Sequence, residues 1–110
     1  MMPAGQGEEA FDEALRSQDP VRRANAILSA PEGSDLERIL VLHLGDPSPS
    51  VRVACVRRLV SAHGPRGVRA LIRAAAQDPS PTVRGEAIAA LGRIMEARTR
   101  SDPPTPTAQA

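Results

Sequence analysis

Apolar positions recur at helical spacing along most of this chain. In EEAFDEALRSQ, Phe11, Ala14 and Leu15 fall on one side of a helix, with Glu8, Glu9, Asp12 and Glu13 around the other. Asp19-Pro20 then opens a second helix, VRRANAILSA, because Asp is a favoured N-cap and Pro is preorganised for the first helical position. Pro31 and Gly33 close it. Ser34-Asp35-Leu36-Glu37 has the form of a capping box at the head of a third helix, DLERILVLHL, with Glu37 expected to reach back to the cap. Ser48-Pro49 starts SVRVACVRRLVSA, Gly64-Pro65 starts GVRALIRAAAQ, and Ser80-Pro81 starts TVRGEAIAALGRIMEAR. No period-two alternation competes with these readings. The pattern predicts an all-α fold of three antiparallel helix pairs over residues 8–98, in units of about 8–31, 34–62 and 65–98. Residues 1–7, rich in Gly and Pro, are expected to be flexible. The stretch 99–110, TRSDPPTPTAQA, is expected to be a disordered Pro-rich tail.

The same phrase is written twice. DPSPSVRVACVRRL at 46–59 returns thirty-two residues later as DPSPTVRGEAIAAL at 78–91. The shift superposes Asp46 on Asp78, Pro49 on Pro81, Val51 on Val83, Arg52 on Arg84 and Leu59 on Leu91, and it carries Ile39 onto Leu71 and Leu40 onto Ile72 in the preceding helices. A period of about thirty residues built from helix pairs is the signature of an α-solenoid.

Composition agrees with that architecture. The chain has one Phe and no Tyr or Trp, so its core is made of Ala, Leu, Val and Ile, which close only if backbones approach as packed helices do. All fourteen basic residues are Arg, a bias that fits a GC-rich, bacterial coding sequence. A single cysteine, Cys55, excludes an internal disulfide and a multi-cysteine metal cluster, and its place on the apolar stripe suggests an inert packed thiol. His43 and His63 stand apart from any metal-ligand spacing, so no metal and no cofactor is expected. The N-terminus shows no secretory signal and no apolar run spans a bilayer, so a cytoplasmic protein without membrane contact is the expectation.

The two phrases resemble HEAT repeats, in particular the short bacterial type also found in phycobilin lyase subunits. DPSPTVRGEAIAALG matches that pattern nearly throughout; in DPSPSVRVACVRRLV, Arg57, Arg58 and Val60 replace the small residues and Gly. DPVRRANAILSA at 19–30 is a degenerate copy when aligned on Asp19, lacking three turn residues. The resemblance implies a non-enzymatic protein-interaction scaffold or adaptor that binds through the concave face lined by the second helices. Asp46 with Arg52, and Asp78 with Arg84, are expected to form a structural ladder at the turns, each Arg reaching back to the Asp of its own turn.

Charge adds candidate binding residues. Residues 1–50 carry four Arg against nine acids, and residues 51–100 ten Arg against three. Arg66, Arg69 and Arg73 share one face of the fifth helix with few acids nearby. Arg57 and Arg58 fall on the second helix of the middle pair, and Arg93, Arg22 and Arg23 are candidates for the same surface. An acidic protein surface is the favoured partner. Sequence-blind binding of nucleic-acid phosphates is the alternative, weakened by near-neutral net charge and the lack of stacking aromatics. An accessory subunit of a lyase-like enzyme is the other. No catalytic residue is expected, since no nucleophile, base or paired carboxylate stands at a suggestive spacing. The charge split allows weak head-to-tail self-association, although both terminal helices are expected to present polar outer faces, leaving a monomer.

Overall fold

Prolines begin most of the helices. Pro20, Pro49, Pro65 and Pro81 each stand in a first turn, where the missing amide hydrogen has no helical acceptor to lose. The computed structural model describes residues 4–101, with side-chain environments for residues 10–100. The helices are α1 (Ala4–Leu15), α2 (Pro20–Leu28), α3 (Leu36–His43), α4 (Pro49–Ala62), α5 (Pro65–Gln77) and α6 (Pro81–Ser101). No strand occurs among the described residues. Helix α1 starts at Ala4, inside the stretch expected to be flexible, and α6 carries Thr99–Ser101 out of the expected tail. Residues 1–3 and 102–110 lie outside the described residues.

The helices pair as α1 with α2, α3 with α4 and α5 with α6, and the second helices stack directly, α4 lying between α2 and α6. Val51, Val56 and Leu59 of α4 are completely enclosed, together with Ile27, Leu71 and Val83 from its neighbours. Each such side chain contributes about 1.5–3 kcal/mol on burial. Ala54, Cys55, Ala87 and Ala90 lie among them, and their small size is what lets the second helices approach. The stack is elongated: its radius of gyration is 16.3 Å, against roughly 13 Å for a compact chain of this length.

The capping box at Ser34 does not form. Asp35 is the N-cap of α3, with no side-chain cap bond. Glu37 instead turns across the stack and accepts hydrogen bonds from the backbone N–H of Gly64 and, at 2.8 Å, of Gly67. It therefore caps α5, the first helix of the next unit, with a carboxylate at the positive end of that helix. The approach is close. A Cβ at Gly67 would lie 3.0 Å from both Glu37 Oε2 and Leu59 Cδ2, which is why this helical position holds glycine. Glu37→Ala should lower stability by about 1–2 kcal/mol, since it orphans two amides. Ser34→Ala should stay within about 0.5 kcal/mol. Urea denaturation of the two variants distinguishes this cap from a local box at α3.

Candidate interaction surfaces

The turns are joined by arginines, but across units. Arg23 donates Nε (2.9 Å) and Nη2 (3.0 Å) to the two carboxylate oxygens of Asp46. One unit on, Arg52 donates Nε (2.9 Å) and Nη2 (3.2 Å) to Asp78. The expected side-chain pairs Asp46–Arg52 and Asp78–Arg84 do not form. Within its own unit each Arg turns only Nη1 back, to a backbone carbonyl: Arg23 to Ser17, Arg52 to Asp46 and Arg84 to Asp78, all at 2.8 Å. A guanidinium presents five donors in a rigid fork, so one Arg can hold its own turn and the next one together.

That geometry also corrects the register of the first unit. Ser17 receives Arg23 as Asp46 receives Arg52, and its Oγ accepts the Asp19 N–H as Asp46 Oδ1 accepts Ser48 N–H. Ser17 is thus the counterpart of Asp46 and Asp78, and Pro20 the counterpart of Pro49 and Pro81. No turn residue is missing. At this place the first unit carries Ser where the others carry Asp.

Both carboxylates are well enclosed, with side-chain exposures of 6 % for Asp46 and 7 % for Asp78. Burial alone pushes the Asp46 carboxyl up, but hydrogen bonds from Arg23 and the Ser48 amide, with the Arg23 charge, outweigh it and hold the group below the ordinary carboxylate range. A carboxyl lowered on folding contributes stability above its unfolded pKa and loses it as pH falls through the folded value. Wild type should therefore lose stability as pH drops from about 4, in a window where Asp46→Asn changes less. Thermal denaturation of the two proteins between pH 5 and pH 2, roughly the range that brackets the Asp46 carboxyl, checks it.

The other candidate arginines divide into engaged and open. Arg57 pairs with Glu86 of α6 at 2.8 Å on the surface, a contact of the kind that contributes about 0–1 kcal/mol. Arg58 reaches back and donates to the Leu28 carbonyl at 2.9 Å, satisfying an orphan group at the end of α2. Arg23, expected on the concave surface, is a rung of the ladder. Arg22 and Arg93 are exposed, and so are Arg66, Arg69 and Arg73 on the outer face of α5, where none of the three donates to a described acceptor. Beside Arg73 a shallow groove of about 330 Å³ runs between α3 and α5, floored by Val41, Leu44, Ala70 and Ala74.

Cys55 is fully buried, and burial pushes its thiol up to about 12, so it is neither nucleophile nor ligand at neutral pH. His43 and His63 are half-buried, and His63 Nδ1 lies 3.0 Å from the Val60 carbonyl oxygen. Among the described residues no three His, Cys, Asp or Glu side chains converge on a cation position, and no helix is long and apolar enough to cross a membrane.

Repeating helix pairs with a shared turn geometry set the terms for comparison with known proteins. A family model for HEAT repeats matches residues 37–103, more than half of the chain. The chain belongs to the HEAT-repeat family. No curated protein and no solved structure gives a match. HEAT repeats generally mediate protein–protein interaction. The matched region covers the second and third HEAT units, those with complete Asp-Pro turns. The first unit lies outside it, although its turn has the same geometry.

The two ends of this HEAT stack are unlike. At the N-terminal end α2 presents Arg22, Asn25 and Ser29, all exposed and polar. At the C-terminal end the expected polar face is absent: Ile72 of α5 and Ile88 and Met95 of α6 are open to solvent. Sequence reasoning missed this, because Ile72 and Ile88 occupy positions that are core in the preceding unit, those of Leu40 and Val56.

Proposed function

We propose that this chain is a non-enzymatic protein-interaction module of the cytoplasm that holds an acidic surface of a partner protein against the outer face of α5. The observation that carries the reading is the open trio Arg66, Arg69 and Arg73. In the same basic half, Arg52, Arg57, Arg58 and Arg84 all bond within the chain. Three unpaired guanidinium groups on one helix face attract carboxylates and bind them bidentately. The adjoining groove floored by Val41, Leu44 and Ala70 offers apolar footing beside them. A rigid stack presents this surface preformed, so little ordering opposes association. The non-enzymatic part rests on the sequence, which carries no motif for nucleophilic, acid–base or phosphate chemistry, and on a thiol too buried to react.

The test is affinity capture from the native host with wild type and with Arg66→Glu/Arg69→Glu/Arg73→Glu. Retention of one stoichiometric protein by wild type, released by moderate salt and lost in the triple variant, supports the reading. Identical captured sets sink it. Nuclease-sensitive retention of bulk nucleic acid would transfer the arginine face to phosphate binding instead.

A further inference from the structure

The unit interfaces inside this molecule define what a unit must offer its neighbour. On the flank of α4 that meets α6, Arg52 holds Asp78, and Val56, one turn further along the same flank, is 0 % exposed. On α2 the matching pair is Arg23, holding Asp46, and Ile27, also 0 % exposed. The third unit repeats the arrangement with nothing described against it. Arg84 engages Nη1 alone, leaving unused the Nε and Nη2 that its two counterparts give to a carboxylate. Ile88, in the place of Val56, is 61 % exposed. Ile72, in the place of the fully buried Leu40, is 54 % exposed. Beside Ile72 lies a groove of about 350 Å³, lined also by Val68, Leu91, Ile94, Met95 and Arg98.

We propose that this C-terminal end is a docking face for a helical hairpin of another protein. The hairpin carries an Asp at its turn, held by Nε and Nη2 of Arg84, and small or branched apolar residues on its second helix, laid over Ile72, Ile88 and Met95. The surface is separate from the outer arginine face of α5 and does not depend on it.

The chain's own sequence excludes the nearer occupants. In a head-to-tail copy, Ser17 stands where the rung needs Asp. Arg22 and Asn25 stand where the second unit packs Val51 and Ala54, so a guanidinium would meet Ile88. Two C-terminal ends facing each other would oppose Arg84 and Arg98 to their own copies, a like-charge contact. Residues 102–110, DPPTPTAQA, contain no Leu, Ile, Val, Met or Phe to fill the groove. A foreign hairpin with an acidic turn matches both the charge and the apolar area.

The probe for the test is a full-length copy altered at its N-terminal end. Ser17→Asp, Arg22→Val and Asn25→Ala give its first unit the turn and flank of residues 46–54, and Ile88→Glu closes its own C-terminal face. Fluorescently labelled, it is mixed with wild type and followed by sedimentation velocity, circular dichroism confirming that each protein is helical. The expected result is a one-to-one complex, weakened about tenfold or more when the receiver carries Ile88→Glu or Arg84→Gln. It should be unchanged when the receiver carries Arg66→Glu/Arg69→Glu/Arg73→Glu, so the fate of the α5 face does not decide this one. Absence of a complex with wild type, or equal binding to the Ile88→Glu receiver, overturns the proposal. Wild type that dimerises alone and loses the dimer with Ile88→Glu overturns it too, by making a second copy the occupant. If the fourfold probe fails to fold, Ser17→Asp/Arg22→Val/Ile88→Glu takes its place with the same readout.

Discussion

Asp78→Ala should cost the protein about 2–4 kcal/mol, a large share of what a domain of this size has. The carboxylate accepts Nε and Nη2 of Arg52 and the backbone N–H of Ser80. Removing it leaves a guanidinium with a side-chain exposure of 10 % and two donors without partners. Breaking a buried pair from one side is more damaging than the pair is favourable, because the remaining charge stays desolvated. The loss stops short of the extreme for such pairs, since Arg52 keeps the carbonyls of Asp46 and Pro47 through Nη1. Urea unfolding should show it directly, and the melting temperature should fall by roughly 10–20 °C. Two comparisons give the result its meaning. Arg84→Ala, which removes one bond to a backbone carbonyl, should cost only about 0.5–1.5 kcal/mol. Adding Arg52→Met to Asp78→Ala should recover part of the loss, since a flexible apolar side chain then replaces the stranded charge. Equal losses for Asp78→Ala and Arg84→Ala would mean that the rungs between units contribute nothing beyond their local turns.

The ladder also shows where sequence reasoning stops. Helix positions, prolines at first turns and the thirty-two-residue echo were all legible, because each depends on local chain chemistry. The partners of the charged groups were not. Asp46 and Arg52 are six residues apart and look like a pair, yet the long arm of Arg52 leaves the flank of α4 that meets the next unit. Its nearest carboxylate there is Asp78. Glu37 is three residues from Ser34 and looks like half of a capping box, yet α5 begins within its reach and offers two free amides. In both cases an interaction between units displaced a plausible local one. The Asp-Pro at 19 and 20 misled for a related reason: it resembles the turn at 46 and 47, but the hydrogen bonds of Arg23 put Ser17 in the place of the aspartate. On the candidate site, grouping Arg66, Arg69 and Arg73 on one face needed only helical periodicity. That Arg58 would be drawn to the end of α2 and Arg57 to Glu86 depended on the stacking.

The sharpest expected contrast lies between two substitutions at one repeat position. Val56→Glu should remove the cooperative folded state, and Ile88→Glu should leave it almost untouched. Both residues are branched and apolar, and both stand one turn after the ladder arginine, so their chemistry predicts one answer for the pair. Val56 is enclosed between α4 and its neighbour, and the one guanidinium a turn away on its flank, that of Arg52, is already held by Asp78. Burying a carboxylate there costs several kcal/mol even after relaxation, to which the lost packing of the valine adds. A sum of about 5 kcal/mol or more is comparable to the whole stability of a small domain. At Ile88 the side chain already meets water, and the new carboxylate joins a basic half, so the change should be within about 0.5 kcal/mol. Far-UV circular dichroism through a thermal ramp reads both outcomes. A sigmoidal transition retained by Val56→Glu would show that α4 and α6 do not bury a common face. A transition lost in Ile88→Glu would show that the C-terminal end is covered in the free protein, and the proposed docking face would then belong to the core.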